Sequence, residues 1–357
     1  MNIAHFVAFA PVCPVCRRAG RGAQSLALAV TLRASETQVS AGILHCPQTA
    51  CRHEYPIIDG IPVIVPDLRR LMAERGVELL VRDDIDPMLE SLLGDAIGPD
   101  SWFDSMRQML STYGWDAYAD LDPAEAQLAG APQPGAARRC LSALLALASF
   151  RPGPSPLMLD LGCAAGRTSF DLAASFPDAL VLGCDINLGL LRLAQGARAG
   201  EVSYPRRRIG LVYDRRRFPA PMPGAQRVDF WACDANCLPF PAGIADLAAA
   251  LNLLDCVPDP AALLAELARC VCPAGPLLLA TPFDWATRAT APETWIGGHS
   301  QRGPDAGAAA PALRNLLASQ GWHIAGEAEH APWQTRLHER SVVQYDAHLL
   351  ALSRADG

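Results

Sequence analysis

The sequence predicts an α/β protein: a doubly wound, mainly parallel, seven-stranded sheet behind a smaller β-rich segment. Three observations lead there. From residue 156 onward, short apolar runs alternate with amphipathic stretches at strand–helix spacing. The run LMLDLGCAAGR (157–167) joins a buried strand to a helix through a glycine-rich turn. Four cysteines in two pairs lie among short β-prone runs within residues 1–66.

Composition bounds the function. A chain of 357 residues has room for one large α/β domain and a smaller module. Half the residues are hydrophobic and 19% are charged, which supplies a sizeable core and argues against global disorder. A net charge of −7 does not suit a protein built to coat nucleic acid. All thirty basic residues are arginine, so Schiff-base chemistry and a lysine-bearing phosphate loop are excluded. No apolar stretch approaches the roughly 20 residues a membrane span needs. The first residues, MNIAHFVAFAPVCPVC, lack a positive region and do not read as a signal peptide. Twelve cysteines without an export signal point to the reducing cytoplasm, where paired cysteines more often hold metal than form disulfides.

The elements follow in order. Residues 1–66 form the cysteine-bearing module, and 67–135 read as a helical linker and lid, with GAPQPG (130–135) as a hinge. Residues 136–357 form the main domain, opening on an amphipathic helix over 136–150. Strands are predicted at 157–162, 179–185, 228–234, 245–254 and 276–282. Helices are predicted near 166–176, 187–199, 258–271 and 311–322. Pro260 suits a first helical turn and Gly321 a helix end. The runs 323–329 and 341–354 would close the sheet as an antiparallel pair.

The strand ends carry the chemistry. Gly162 and Gly166 flank a turn that lets backbone approach a ligand. Asp185 ends the second strand, where a carboxylate accepts hydrogen bonds from ribose hydroxyls. Asp234 ends the third, where a short polar side chain reads an adenine amino group. A nicotinamide enzyme is the rival for such a sheet, but its three-glycine fingerprint is absent.

The run DLGCAAGR resembles the first motif of class I S-adenosylmethionine-dependent methyltransferases, GCDIN the second and CDANCLPFP the third. ALNLLDCVPDPAALLAELARCVCPAG resembles the fourth strand, its helix and a variant of the Pro-Gly-Gly turn. The resemblance covers roughly 150–354 and implies a Rossmann-like methyltransferase domain binding S-adenosyl-L-methionine. It implies cofactor contacts from Asp160, Gly162, Cys163, Ala164, Gly166, Asp185, Ile186, Asp234 and Ala235, with Asn252 and Leu253 beside the methyl group. Ala164 replaces the usual glycine, which a negative φ would allow.

Cys13 and Cys16, with Cys46 and Cys51, fit a tetrahedral structural zinc site, with His45 and His53 as rivals for the fourth position. The stretch 51–67 resembles zinc-ribbon segments that activate or are fused to methyltransferases. TPFDWATRATAPETWIGG (281–298) resembles the substrate loop of the methyltransferase domain in ovothiol-type mercaptohistidine synthesis enzymes. That resemblance implies a small polar, amino-acid-like acceptor methylated at nitrogen, with Trp285, Trp295 and His299 as a pocket wall and Asn252, Trp295 and His299 as catalytic candidates. Tyr113 and Tyr118 are lid candidates. The insert 201–224 carries arginine triplets at 206–208 and 215–217, read as solvated loop charge, a carboxylate clamp or phosphate contacts. Two alternatives stand beside the small-molecule reading: a ribosomal or transfer RNA base methyltransferase whose ribbon contacts RNA, and a non-catalytic scaffold. The sequence sets no oligomeric state.

Overall fold

A computed structural model describes residues 1–80, 87–125 and 132–354. Residues 81–86 and 126–129 of the expected linker, and 130 and 131 of its hinge, lie outside the described residues.

The N-terminal segment begins with two short helices, α1 (Ile3–Phe9) and α2 (Pro14–Arg18). Four strands follow: β1 (Ala27–Ala34), β2 (Val39–His45), β3 (Glu54–Ile58) and β4 (Ile61–Ile64). Next come α3 (Leu68–Leu80), α4 (Pro87–Ile97), α5 (Trp102–Tyr118) and α6 (Ala136–Ala148). The alternating part runs β5 (Leu157–Leu161), α7 (Arg167–Ser175), β6 (Leu180–Asp185) and α8 (Leu188–Arg198). A hairpin of β7 (Glu201–Ile209) and β8 (Val212–Pro219) intervenes before β9 (Val228–Cys233) and β10 (Leu247–Leu251). Then come α9 (Pro260–Cys270), β11 (Leu277–Thr281), α10 (Ala309–Ser319), β12 (Trp322–His338) and β13 (Ser341–Arg354).

Local chemistry explains the boundaries. Asn187 caps α8 by accepting the Leu190 amide, and Asp259 caps α9 by accepting the Ala262 amide, with Pro260 in its first turn. Gly321 takes φ +81° just past α10. From α5, the carboxylate of Asp116 receives the Ala136 and Ala137 amides and so anchors the start of α6.

The sheet is larger than expected. Among the described residues it has eleven strands in the order β1-β2-β3-β4-β9-β6-β5-β10-β11-β13-β12, not seven, and it is mixed. The strands β4, β9, β6, β5, β10 and β11 run parallel, and both ends are antiparallel. The difference arises at β4, which lies parallel to β9 with Val63 opposite Ala232 and Ile64 opposite Cys233. The N-terminal strands thus add to the main sheet through a parallel pair, which an antiparallel ribbon pattern does not foretell. Two apolar clusters cover the two faces, one including Phe170 and Phe230, the other including Trp231 and Leu263.

The arginine-rich insert is a hairpin, not a loop, and acids within the chain hold its arginines. Arg206 pairs with Glu125, Arg215 with Glu90, and Arg216 with Asp122 in a two-armed contact at 2.6 and 2.7 Å. Arg208 pairs with Asp214, Arg217 with Glu201, and Arg207 donates to the Gly210 carbonyl. The hairpin clamps α5: a Cβ added at Gly114 would sit 2.7 Å from the Tyr204 ring. Replacing Gly114 with alanine is expected to force these elements apart and to lower stability by about 1–3 kcal/mol, measured as a lower denaturant midpoint at unchanged slope.

Candidate active site

The carboxyl ends of the parallel strands meet at the glycine turn. Gly162, Ala164 and Gly166 all have positive φ, at 68°, 47° and 84°. The expectation of a negative φ at Ala164 is therefore corrected: alanine occupies left-handed backbone at a cost of roughly 1 kcal/mol. Asp185 compensates. One carboxylate oxygen accepts the Ala164 amide at 2.9 Å and the other accepts the Asn187 amide at 2.8 Å. Gly166 has no room for a side chain, since a Cβ would lie 2.5 Å from Phe230.

Asp160 supports the turn from below. Its buried carboxylate accepts the Thr168 and Ser169 hydroxyls at 2.7 and 2.6 Å, holding the start of α7. Burial raises its pKa to about 6. Cys163 is buried, and burial pushes its thiol well above the ordinary range, so it is no nucleophile.

Two cavities open on either side of Gly162. The larger, of about 550 Å³, is lined by Asp185, Ile186, Asp234, Ala235 and Asn236 among others. The second, of about 490 Å³, is lined by Cys163, Ala164, Asn252, Asp255, Asp284 and Tyr345 among others. Gly162, Asp185, Ile186 and Leu253 border both, so the three strand ends singled out by sequence converge on one groove. Asp234 fixes its own loop by accepting the Asn236 amide at 2.9 Å.

The lining of the second cavity carries Asn252, Asp255, Asp284 and Tyr345 as well as Arg75, Arg138 and Arg167. Asn252 has φ +50°, and its side-chain oxygen is buried with no hydrogen-bond partner. Asp255 is 2% exposed, and burial, reinforced by neighbouring Asp284, raises its pKa to about 6 even though the Asp284 amide donates to it at 2.9 Å. Tyr345 hydrogen bonds to Asp284. Tyr113 lines this cavity from α5, as a lid residue would.

Other expectations are redistributed. Trp295 and His299 line neither cavity. Trp295 stacks on Trp285, with ring centroids 6.0 Å apart, and donates to the Thr290 carbonyl; His299 is exposed beside the Gly297 carbonyl. The loop folds on itself because the two indoles find each other, and its aromatic face is spent there. Tyr118 is no lid either. It is fully buried and donates to the Ala165 carbonyl at 2.6 Å, tying α5 to the glycine turn. Arg167 adds a second tie, with bonds to the Ala117 carbonyl and to both oxygens of Asp120. Sequence reading missed Asp255, Asp284 and Tyr345. Asp255 lies just past the run 245–254 read as strand, and Tyr345 is remote in sequence, so only the fold joins them.

The four N-terminal cysteines also converge. The sulfurs of Cys13, Cys16, Cys46 and Cys51 all lie within 4.8 Å of one another. Cys13 to Cys51 and Cys16 to Cys46 are each 3.7 Å. Four metal–sulfur bonds of about 2.3 Å at tetrahedral angles require sulfur separations near 3.8 Å, whereas a disulfide requires about 2.05 Å. The Cys16 amide points at the Cys13 sulfur from 3.4 Å, and the Tyr55 hydroxyl lies 3.1 Å from it, as groups around a thiolate ligand do. His45 and His53 are not in the cluster. This donor set is compatible with zinc.

A doubly wound sheet with a glycine turn, two acid-tipped strands and a groove across their ends has its open groove where sheets of this kind bind ligands. Residues 159–279 match the family model described as a methyltransferase domain, and that span is one; the enzyme is an S-adenosylmethionine-dependent methyltransferase. No curated protein sequence matches the chain. Among solved structures, the [4+2]-cyclase SpnF is 14% identical over 65% of this chain and 85% of its own, with a TM-score of 0.42. The YcgJ protein from Bacillus subtilis is 15% identical over 61% of this chain and 100% of its own, with a TM-score of 0.40. The antibiotic-resistance methyltransferase Kmr is 20% identical over 65% of this chain and 98% of its own, with a TM-score of 0.36.

Among the described residues, no helix is long and apolar enough to cross a membrane. The ties to the turn are testable. Replacing Tyr118 with phenylalanine leaves the buried Ala165 carbonyl without its donor, an expected loss of about 1–3 kcal/mol, read by equilibrium denaturation.

Proposed function

We propose that the protein transfers the methyl group of S-adenosylmethionine to a nitrogen of a small polar, amino-acid-like acceptor. The observation that carries this reading is the second cavity, where Asn252, Asp255, Asp284 and Tyr345 gather next to the glycine turn. Its size, about 490 Å³, suits a small molecule. Within its lining, Asp255, Asp284 and Asn252 suit an amine, because carboxylates and an unpartnered amide oxygen favour a nitrogen that donates hydrogen bonds.

The larger cavity would hold the nucleoside, with Asp185 toward the ribose and Asp234 and Ala235 toward the adenine. Gly162, Cys163, Ala164 and Leu253 would flank the sulfonium portion, and Asn252 would face the reacting centre. The cofactor supplies an electrophilic methyl group. The residues of the chain align the nitrogen with it and exclude water. A nitrogen that arrives as ammonium must first lose a proton. Asp255 is the group suited to accept it, being buried and charged only above about pH 6.

The cysteine cluster would bind one structural zinc ion, crosslinking strands with little core of their own. Four clustered cysteines suited to holding metal fit a reducing compartment, the cytoplasm. The arginine triplets lend the RNA alternative little support, because Arg206, Arg215 and Arg216 are engaged by acids of the same chain.

The deciding experiment is transfer of labelled methyl to a panel of amine metabolites with total RNA in parallel. Label in a small amine supports the reading; label only in RNA, or none anywhere, sinks it. With an accepting amine in hand, the rate should fall as pH drops through about 6, since protonated Asp255 accepts nothing. Asp255→Asn should lower kcat at least about tenfold and flatten that acid limb. Elemental analysis of the purified protein should find one zinc per chain, and Cys46→Ser should remove most of it.

A further inference from the structure

We infer that the end of the N-terminal ribbon and the helix α3 that follows it are a working part of the nucleoside site, with Val65 and Leu71 forming an apolar wall against the adenine base. The inference rests on the cofactor reading proposed above and adds residues that lie outside the methyltransferase-family span of 159–279.

Topology makes the case first. Parallel strands deliver their ligand-binding ends to one rim. Because β4 is parallel to β9 and in register with it at Ala232 and Cys233, the residues after β4 emerge on the same rim as Asp234 and Ala235. Val65 and its successors therefore occupy the position of one further strand end, next to the end that carries the adenine-facing aspartate.

The cavity makes the case a second time. Val65, Asp67, Arg70, Leu71 and Glu74 line the larger cavity together with Asp185, Ile186 and Asp234. Val65 is 2% exposed and Leu71 6%, and both pack in one cluster with Ile61 and Val63 of β4. The first turn of α3 is fixed where it meets the groove: the Asp67 carboxylate accepts the Arg70 amide at 2.9 Å, and Arg70 pairs with Glu74 at 2.8 Å. An apolar surface framed by polar groups is what a purine needs, since its faces are apolar and its edges carry hydrogen-bonding atoms. A wall built this way comes with the ribbon strand. Removing the ribbon removes it.

The test is hydrogen exchange on the full chain with and without S-adenosylhomocysteine, paired with calorimetry. Amides of 63–75 should slow together with those of 160–166 and 232–236 when the ligand is added. Leu71→Ala should weaken S-adenosylhomocysteine binding about tenfold. Arg69→Ala, exposed on the same helix and outside the cavity, should leave it unchanged. Protection of 160–166 without 63–75, or an unchanged Kd for Leu71→Ala, overturns the wall while the cofactor reading stands. Absence of both heat and protection in the unaltered protein overturns the cofactor reading, and the wall with it.

Discussion

Between Leu161 and Arg167 the chain must leave a central strand and enter a helix, and three of the intervening residues sit in left-handed backbone. Glycine adopts that conformation freely at 162 and 166; alanine at 164 does not. Asp185 holds the turn in place by accepting the Ala164 amide, which links the end of β6 to the turn after β5. Asp160 pins the helix that follows, and Tyr118 and Arg167 bind the turn to α5. The two cavities exist because this turn stays open between them. A relaxed turn would move Gly162, which borders both. A Cβ at that position would already come within 2.9 Å of Leu253, so even the space beside the turn is committed.

Much of the charge around the hairpin is paired within the molecule. The hairpin arginines pair with acids of α4 and of the residues just after α5. Arg107, 2% exposed, lies over the Tyr213 ring at 3.9 Å and near Glu90 at 3.4 Å. These contacts seat α5 against the hairpin, and α5 in turn carries Tyr113 to the second cavity. Asp255 and Asp284 line that cavity together with Arg75, Arg138 and Arg167.

Much of this was legible in the sequence, and the failures have physical causes. The strand–helix alternation placed β5, β6, β9 and β11 and their helices, because buried parallel strands write themselves as apolar runs. Even the alanine-rich β10 formed where expected. Alanine favours helix, but between β5 and β11 the backbone ladder and close packing on both faces override that preference. The four cysteines came together as their spacing implied. The sheet was undercounted because parallel pairing of β4 with β9 joins segments far apart in sequence, and no local pattern records it. The loop tryptophans were assigned to a pocket on resemblance, whereas their own stacking consumes them. Asp255 was missed because burial, not motif, makes it notable, and Tyr345 because only the fold brings it to the cavity.

The pairing of β4 with β9 also bears on how the protein is made. A ribosome releases the chain from its N-terminus, so residues 61–64 appear long before 228–233, their partner in the sheet. Until β9 emerges, the nascent ribbon carries an unpaired, wholly apolar edge, IPVI, which is open to wrong partners. Early capture of a metal ion by Cys13, Cys16, Cys46 and Cys51 would let that first piece hold its shape while translation proceeds.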